Sequence, residues 1–447
     1  MDNFDNLIPG VHFTTIRNRV PVLNEPRSPI TYGVELQFLV PVLAASQTDP
    51  HPNETRKAVI VQDGCSYEDA VQIVAHTVLY ILRAGAGVPA WTYLGPPYPT
   101  PVEVSMMDQE SQAVSNMPDY SQWVVEASED LVPLHDKVSS DYTWVGVKVK
   151  SSKRNSREAS QFDQIGNVIK VLRSNLRMRL APTTSLMVHA GERRRDIHVY
   201  TMGPKFLRVF CTLWWVLEKH ILSLVHPSRL DHFACKPLTK YSRLSKMTSE
   251  ELRDYLLTEG MHRGTFEIFY NQMHSIVPIT SMIRRETDEI ECIWRCVDAE
   301  EIAQKMEVDV YQLIKMHLTG RREPWLTWGR GSIGFQGFCE YAWPESLKKH
   351  NDGETGTIEF RSLQGTLDPL LIANWLAVVI RLYDFAHRGN TDDIMAIIQR
   401  SVASRYTCID LLEDLGLPEQ AKYFKKEIGS HTRDITNESM DSLFVGP

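Results

Sequence analysis

The sequence has few cysteines, and no two of them form a CxxC pair. Seven cysteines are spread over 447 residues, and only Cys292 and Cys296 lie close together. A four-residue spacing suits one face of a helix better than a zinc knuckle. Because free cysteine is among the most buried residue types, we expect structural core thiols, and therefore a reducing compartment.

The sequence also lacks an excess of positive charge, a secretory signal and a long apolar run. It carries 48 Lys and Arg against 56 Asp and Glu, a net charge of −8. This balance argues against a nucleic-acid partner. The N-terminal residues have no basic segment leading into an apolar one. The longest apolar run, residues 370–380, is interrupted by Asn374 and is too short to span a bilayer. We therefore expect a cytoplasmic protein with no membrane partner.

Short strand patterns alternate irregularly with long helical ones, which predicts an α+β fold rather than a doubly wound sheet. Residues 30–40 are rich in β-branched and aromatic residues and predict a strand that Pro41 ends. Ser66 is a candidate N-cap for a helix that reaches Gly85. Asp368, followed by Pro369, is a second candidate helix start. Further strands are predicted at 123–126, 142–149, 185–189 and 357–361, and further helices at 204–225, 248–258 and 299–318. Three more helical patterns are predicted in the last hundred residues, and irregular structure at 85–101.

Two of the predicted strands carry charged residues on one face. Strand alternation places Glu35 and Gln37 together, opposite an apolar face that contains Leu36. The same alternation pairs Glu359 with Arg361, so that an ion pair or a joint ligand contact is natural. The alternative for the first strand is an amphipathic strand with one solvent-exposed face, and the alternative for the second is a surface salt bridge.

Three other features are ambiguous. His189 shares its face with Met187, and a lone histidine in an apolar strand is more often a core group than a ligand. Residues 148–179 contain nine Lys or Arg against two Asp or Glu, which is typical of a solvated helix face or of an anion-binding lip. Residues 329–334 read GxGxxG, but without a convincing strand before and a long helix after they predict a flexible loop rather than a dinucleotide site.

Six segments stand out in this order: YGVELQF at 32–38, WVVEAS at 123–128, VGVKVKS at 145–151, SLMVHAG at 185–191, HPSRL at 226–230 after a helix with Glu218, and TIEFRSLQGTLDP at 357–369. Together they resemble the fungal-type amidoligases of the carboxylate–amine ligase superfamily, which includes glutamine synthetase. The last of these segments, with Asn374 and Trp375 in its helix, is the most specific.

The resemblance implies a curved antiparallel sheet with helices on its convex face, binding ATP and Mg²⁺ on the concave one. It divides the chain into an N-terminal extension (1–29), an amidoligase-like domain (30–390), a helical extension (391–430) and a polar tail (431–447). By family pattern Glu35 and Glu359 are metal ligands, Arg361 contacts phosphate, and His189 and Gln37 lie beside the cofactor. Catalysis would then fall to Arg361, Glu359 and Lys148. The expected partners are a small carboxylic acid and an amine, or a peptide or protein side chain.

This sequence departs from the family pattern at several positions. Gln37 stands where a second carboxylate is expected, Lys148 also replaces a carboxylate, and Met187 replaces a histidine. Leu363 replaces a further histidine. The first two changes shift the local charge by about +3, which is unfavourable beside an ion that prefers hard oxygen ligands.

Three functions therefore stay open. The first is an ATP-dependent ligase that forms an amide through an acyl phosphate. The second is an inactive pseudoenzyme in which Lys148 pairs with Glu35 and Glu359. The third is an interaction subunit that uses the tryptophan-rich helix around Trp214.

Overall fold

The computed structural model describes residues 30–92, 94, 122–128, 131, 141–181, 183–192, 203–230, 232, 235–258, 263–308, 311–314, 325–328, 330–335 and 357–431. Within these ranges the protein has an α+β fold, as the sequence predicts. One mixed sheet of nine strands is covered by helices, and two further strands form a separate pair.

The strands are β1 Ile30–Ala44, β2 Val59–Val61, β3 Ala90–Thr92, β4 Trp123–Ala127, β5 Thr143–Lys150, β6 Arg154–Asn155, β7 Leu186–Glu192, β8 Tyr311–Ile314, β9 Trp325–Trp328, β10 Ile333–Gly334 and β11 Ile358–Phe360. The main sheet has the order β10-β11-β7-β1-β5-β4-β3, with β2 and β6 also paired to β1. The expected antiparallel sheet is in fact mixed, because β2 and β3 pair in parallel with β1 and β4.

The helices are α1 Tyr67–Tyr80, α2 Ala159–Asn175, α3 Pro204–Leu222, α4 Leu238–Tyr241, α5 Arg243–Lys246, α6 Ser249–Thr258, α7 Arg263–His274, α8 Arg284–Arg295, α9 Ala299–Met306, α10 Pro369–Arg388, α11 Thr391–Ser401, α12 Cys408–Asp414 and α13 Pro418–His431. The predicted N-caps are confirmed: Ser66 accepts from the Asp69 amide, and Asp368 accepts from the Leu370 amide. A π-helical turn, Ile81–Gly85, follows α1 directly.

The central strand β1 continues through Pro41, although the sequence predicts that this proline ends it. Leu39 exchanges backbone hydrogen bonds with Arg179, on the side of β1 that faces away from β5. Pro41 is two residues further along, so its missing N–H falls on the same side. It lies just before the pairing with β2 begins at Val42. No hydrogen bond to β5 is lost, and the strand tolerates the proline.

Alternation along β1 divides the sheet into two faces. Val34, Leu36 and Phe38 are buried in the main core, where α1, α2, α3 and α10 also place their apolar residues. Leu39 and Leu43 belong to a smaller cluster on the opposite face. The alternation predicted for the first strand is therefore confirmed, and the helices cover the face that lacks Glu35 and Gln37.

Helix α10 is longer than the apolar run at residues 370–380. Its 20 residues are long and apolar enough to cross a membrane, but 83% of the apolar window is buried within the protein. Core helices of this kind pass the same test of length and composition. The helix packs against α3, β7 and β1.

Several local predictions are wrong. The helix predicted at 299–318 ends at Met306, and residues 311–314 form β8. Residues 90–92, predicted to be irregular, form β3. The GxGxxG segment is not simply a loop, since β9 precedes it and its last two residues form the buried edge strand β10.

The basic region 148–179 forms neither a single lip nor a solvated helix face. Arg177 is buried and donates to the Asp49 carboxylate and to the backbone oxygens of His51 and Glu54. Arg179 is also buried, with its guanidinium 5.8 Å from the Trp144 ring centroid. These arginines hold loops against the sheet, whereas Lys148 and Lys150 lie on the sheet itself. Among the described cysteines, five of six are buried and none forms a disulfide, as expected of core thiols.

Candidate functional site

One face of the main sheet carries a row of polar side chains drawn from five strands and from Arg361, which follows β11. In register, Glu35 lies opposite Lys150 on β5 and Met187 on β7, and Gln37 lies opposite Lys148. Glu126 on β4 is also opposite Lys148. His189 lies opposite Glu359 on β11. Because partners across a sheet project to the same side, the structure brings these side chains onto one face, which we call the polar face.

The carboxylate of Glu35 forms an ion pair and a hydrogen bond with neighbouring side chains. It lies 3.9 Å from the Lys150 ammonium and accepts a 2.6 Å hydrogen bond from the Gln37 amide. Lys150 also forms an ion pair at 2.7 Å with Glu126. The side-chain carbonyl of Gln37 accepts hydrogen bonds from the backbone amide and the hydroxyl of Ser185. Gln37 therefore links Glu35 to Ser185, just before β7, by hydrogen bonds. A glutamate at this position would lack the amide group that donates to Glu35.

Glu359 is held in the same way. Its carboxylate accepts a hydrogen bond from Arg361 and lies 3.5 Å from His189 Nε2. Burial acts to raise the pKa of Glu359, but the positive charges of Arg361, His189 and Arg330 outweigh it and lower the pKa to about 2. The carboxylate is therefore ionised at neutral pH.

Arg361 is buried, and the surrounding backbone holds it in place. Its carbonyl oxygen accepts from Arg229 of the HPSRL segment, and its amide donates to the Ser332 carbonyl. Gly334 on β10 lies so close that an added Cβ would be 2.5 Å from the guanidinium. Burial lowers the pKa of Arg361, while Glu359 and Glu35 both raise it, so both carboxylates act on this one cation. Its Nε has no hydrogen-bond partner among the described residues.

Lys148 does not form the ion pairs expected of it. Glu35 pairs with Lys150, and Glu359 pairs with Arg361 and His189. Lys148 is half-buried, between Gln37 and Glu126 in register, and no ion pair involves it among the described residues. The pairing fails because strand register, which the sequence does not specify, puts Lys150 rather than Lys148 opposite Glu35.

The donor set fits Mg²⁺ poorly. Glu35 and Glu359 lie on β1 and β11 with β7 between them, so their strands are about 10 Å apart. Mg²⁺ needs oxygen ligands at about 2.1 Å in octahedral geometry. Among the described residues, no group of three or more His, Cys, Asp or Glu side chains is arranged to hold a metal ion. Lys150 and Arg361 supply positive charge beside both carboxylates instead.

Three charged residues near this face are not predicted from the sequence: Lys150, Glu126 and Arg330. Alternation along β5 already places Lys150 on the face of Lys148, so that signal was present in the sequence. Glu126 falls within the WVVEAS segment, but its partner depends on register. The positive charge of Arg330 lowers the pKa values of both Glu359 and Arg361. Arg330 comes close to these residues only because β10 pairs with β11.

Glu218 is a structural residue beneath this region. It is fully buried on α3 and accepts hydrogen bonds from the backbone amides of Leu238 and Thr239 at the start of α4. Trp214 Nε1, the Thr239 hydroxyl and the Ser332 hydroxyl also donate to it. Its carboxylate therefore joins α3, α4 and the segment before β10. Trp214 is buried too, which removes it from any docking surface.

No protein-family model, no curated protein and no solved structure matches this chain. The resemblance to amidoligases therefore rests on the quoted motifs and their order. The polar face itself is defined by the geometry and needs no relative.

Proposed function

We propose that this chain is an amidoligase-like binding protein that has replaced a divalent metal with its own cations, and that its polar face takes an anionic ligand. In this proposal the sheet is of the glutamine synthetase type, with β1 central between β5 and β7. The observation that carries the proposal is the pairing of both candidate metal ligands with protein cations. Glu35 contacts Lys150, and Glu359 contacts Arg361.

The charge of the polar face supports an anionic ligand. Lys148, Lys150, Arg330 and Arg361 face three carboxylates, those of Glu35, Glu126 and Glu359. Among the described residues, neither Lys148 nor Arg330 forms an ion pair. The buried Nε of Arg361 has no acceptor there either. A phosphate or carboxylate group would satisfy such donors, because these anions form charge-assisted hydrogen bonds with lysine and arginine.

The second candidate is an ATP-dependent carboxylate–amine ligase, favoured by the gathering of the motif residues on one face. In that reaction a substrate carboxylate takes the terminal phosphoryl group of ATP, and an amine then attacks the acyl carbon and expels phosphate. Lys148 and Arg361 would stabilise charge on the transferred phosphoryl group. The substrates would be a small acid and an amine, or a side chain of a peptide or protein.

Titration calorimetry with ATP, in Mg²⁺ and again in EDTA, distinguishes the two functions. For a metal-independent binding protein we expect the same affinity in both buffers and a weaker affinity for the Lys148→Ala variant. Mg²⁺ alone should give no binding heat. ATP binding that requires Mg²⁺ and disappears in Glu35→Gln and Glu359→Gln would overturn this proposal in favour of the ligase.

A further inference from the structure

A second positively charged region lies on the short helices α4 and α5. Lys236, Lys240 and Lys246 each place their ammonium nitrogen 5.2 Å from the ring centroid of Tyr241. Lys240 and Lys246 are exposed, while Lys236 and Tyr241 are half-buried. We call these four residues the Tyr241 patch. Within the described part of the chain, Lys240 and Lys246 make no ion pair.

Local sequence and backbone geometry produce this convergence. Residues 236–246 contain four basic residues and no acidic one. Ser242 is extended between the two helices, ends α4 and caps α5 through the Ser245 amide. The chain therefore bends at Ser242, so that lysines before and after the bend reach the same ring.

The helices that carry the patch are anchored to the protein core. Leu238 and Leu244 are fully buried, and the Glu218 carboxylate binds the first amides of α4. Arg243 is tied to α9's end, because its amide donates to the Glu307 carbonyl and its guanidinium pairs with the Glu307 carboxylate at 3.1 Å. Among the described residues, Glu307 is the carboxylate that forms an ion pair with this segment, and it is bound to Arg243.

Three ammonium groups at this distance from one centroid are within about 10 Å of one another and repel. The Tyr241 ring attracts each of them, which lowers the cost of the arrangement. A ligand with several negative charges along a short chain would neutralise all three. Lysine is a common phosphate-binding residue that acts as a point charge.

We propose that the Tyr241 patch is a binding site for a polyphosphate chain, supplied either as inorganic polyphosphate or as the phosphates of a nucleotide. This site is separate from the polar face, and the inference does not depend on the proposed function. Binding is electrostatic and weakens as the salt concentration rises.

The test is titration calorimetry of the full chain with inorganic tripolyphosphate at low salt. We expect binding that weakens about tenfold in the double variant Lys240→Gln/Lys246→Gln, since two of the three charges are removed. The matched control Lys425→Gln/Lys426→Gln, two exposed lysines on α13, should bind like the unmodified chain. Both altered lysines are exposed, so the melting temperature of the double variant should not fall. An unchanged melting temperature shows that the variant is folded.

Two further measurements complete the test. ATP in EDTA identifies the source: affinity equal to that of tripolyphosphate indicates inorganic polyphosphate, and tighter binding that the double variant loses indicates a nucleotide. The double variant should lose the same affinity in a Lys148→Ala background as in the unmodified chain, which separates this patch from the polar face. Tripolyphosphate binding that is absent, or that is unchanged in Lys240→Gln/Lys246→Gln, would refute the inference. Tighter binding of a glutamate-rich peptide would refute it as well.

Discussion

Gln37 is the residue at which the sheet departs most clearly from a metal-binding design. Its amide donates to Glu35 at 2.6 Å while its carbonyl accepts from Ser185. A glutamate here would lose the donor and bring two negative charges together in a buried position. The two carboxylates would then need a shared cation or a shared proton.

We therefore predict that Gln37→Glu destabilises the protein by about 1–3 kcal/mol in EDTA. Mg²⁺ should recover part of this loss, because the new carboxylate adds an oxygen ligand beside Glu35. Thermal unfolding with and without Mg²⁺ measures both effects. Gln37→Met is the control, which loses the hydrogen bonds with both Glu35 and Ser185 without adding charge and should not respond to Mg²⁺. An equal response of both variants would contradict the prediction.

Gly334 sets the position of Arg361. A Cβ at Gly334 would lie 2.5 Å from the guanidinium, which is buried and has little room to move. We predict that Gly334→Ala displaces Arg361 from Glu359 and costs about 1–3 kcal/mol of stability. Urea unfolding measures the loss, and the effect should shrink in an Arg361→Ala background. Gly429→Ala, with nothing within 4 Å of the added Cβ, is the control and should not destabilise.

At the scale of elements, α4 depends on a carboxylate from another helix. Its N-cap residue is Pro237, which provides no side-chain hydrogen bond, and Glu218 on α3 accepts from the first two amides instead. One carboxylate thus satisfies donors from three parts of the chain. A glutamine side chain has only one acceptor oxygen, and its NH₂ group would face the same donors.

Glu218→Gln should therefore destabilise the protein by about 2–4 kcal/mol, because buried donors are left unsatisfied. Urea unfolding checks the loss, with the exposed Glu250→Gln on α6 as the matched control. If the Tyr241 patch binds tripolyphosphate, the same variant should also weaken that binding. A stability change below about 0.5 kcal/mol would show that Glu218 is not the anchor of α4.

The strands show how far the sequence determines the site. Alternation in Gly33–Phe38 correctly places Glu35 and Gln37 on one face, because a side-chain period of two is a local property. The pairing of Glu35 with Lys150 is not local, since it depends on which residue of β5 lies opposite. Arg330 is still harder to predict, because its position follows from β10 pairing with β11. The strand end predicted at Pro41 is wrong for a similar non-local reason, because the effect of a proline depends on which strand its nitrogen faces.

At the scale of the whole molecule, two carboxylates of the loop at residues 49–56 form ion pairs, Asp49 with Arg177 and Glu54 with Arg56. A hydrogen bond from Arg177 lowers the pKa of Asp49 to about 2, and a hydrogen bond from Arg56 lowers the pKa of Glu54 to about 2. In the unfolded chain these carboxylates take up protons near pH 4, whereas in the folded protein they stay ionised down to about pH 2. Their contribution to stability is therefore complete above pH 4 and lost on acidification.

We predict that the free energy of unfolding falls as the pH drops from about 4.5 to 2. Urea unfolding at pH 6, 4 and 3 measures the decline. Asp49→Asn should lower stability at pH 6 and flatten the pH dependence, whereas Asp393→Asn, an exposed residue of α11, should leave the slope unchanged. A slope that is the same in Asp49→Asn as in the unmodified chain would contradict the assignment.

The central position of β1 has a consequence for synthesis on the ribosome. Gln37 meets Met187, 150 residues later, and Val34 bonds Ser151, 117 residues later. At about 5–20 residues per second, β1 emerges roughly 8–30 seconds before β7 is available. For most of that interval β5 is missing as well, so the central part of β1 lacks both neighbouring strands. The nascent chain therefore exposes an apolar strand with unpaired edges, the kind of segment that is prone to aggregation during folding.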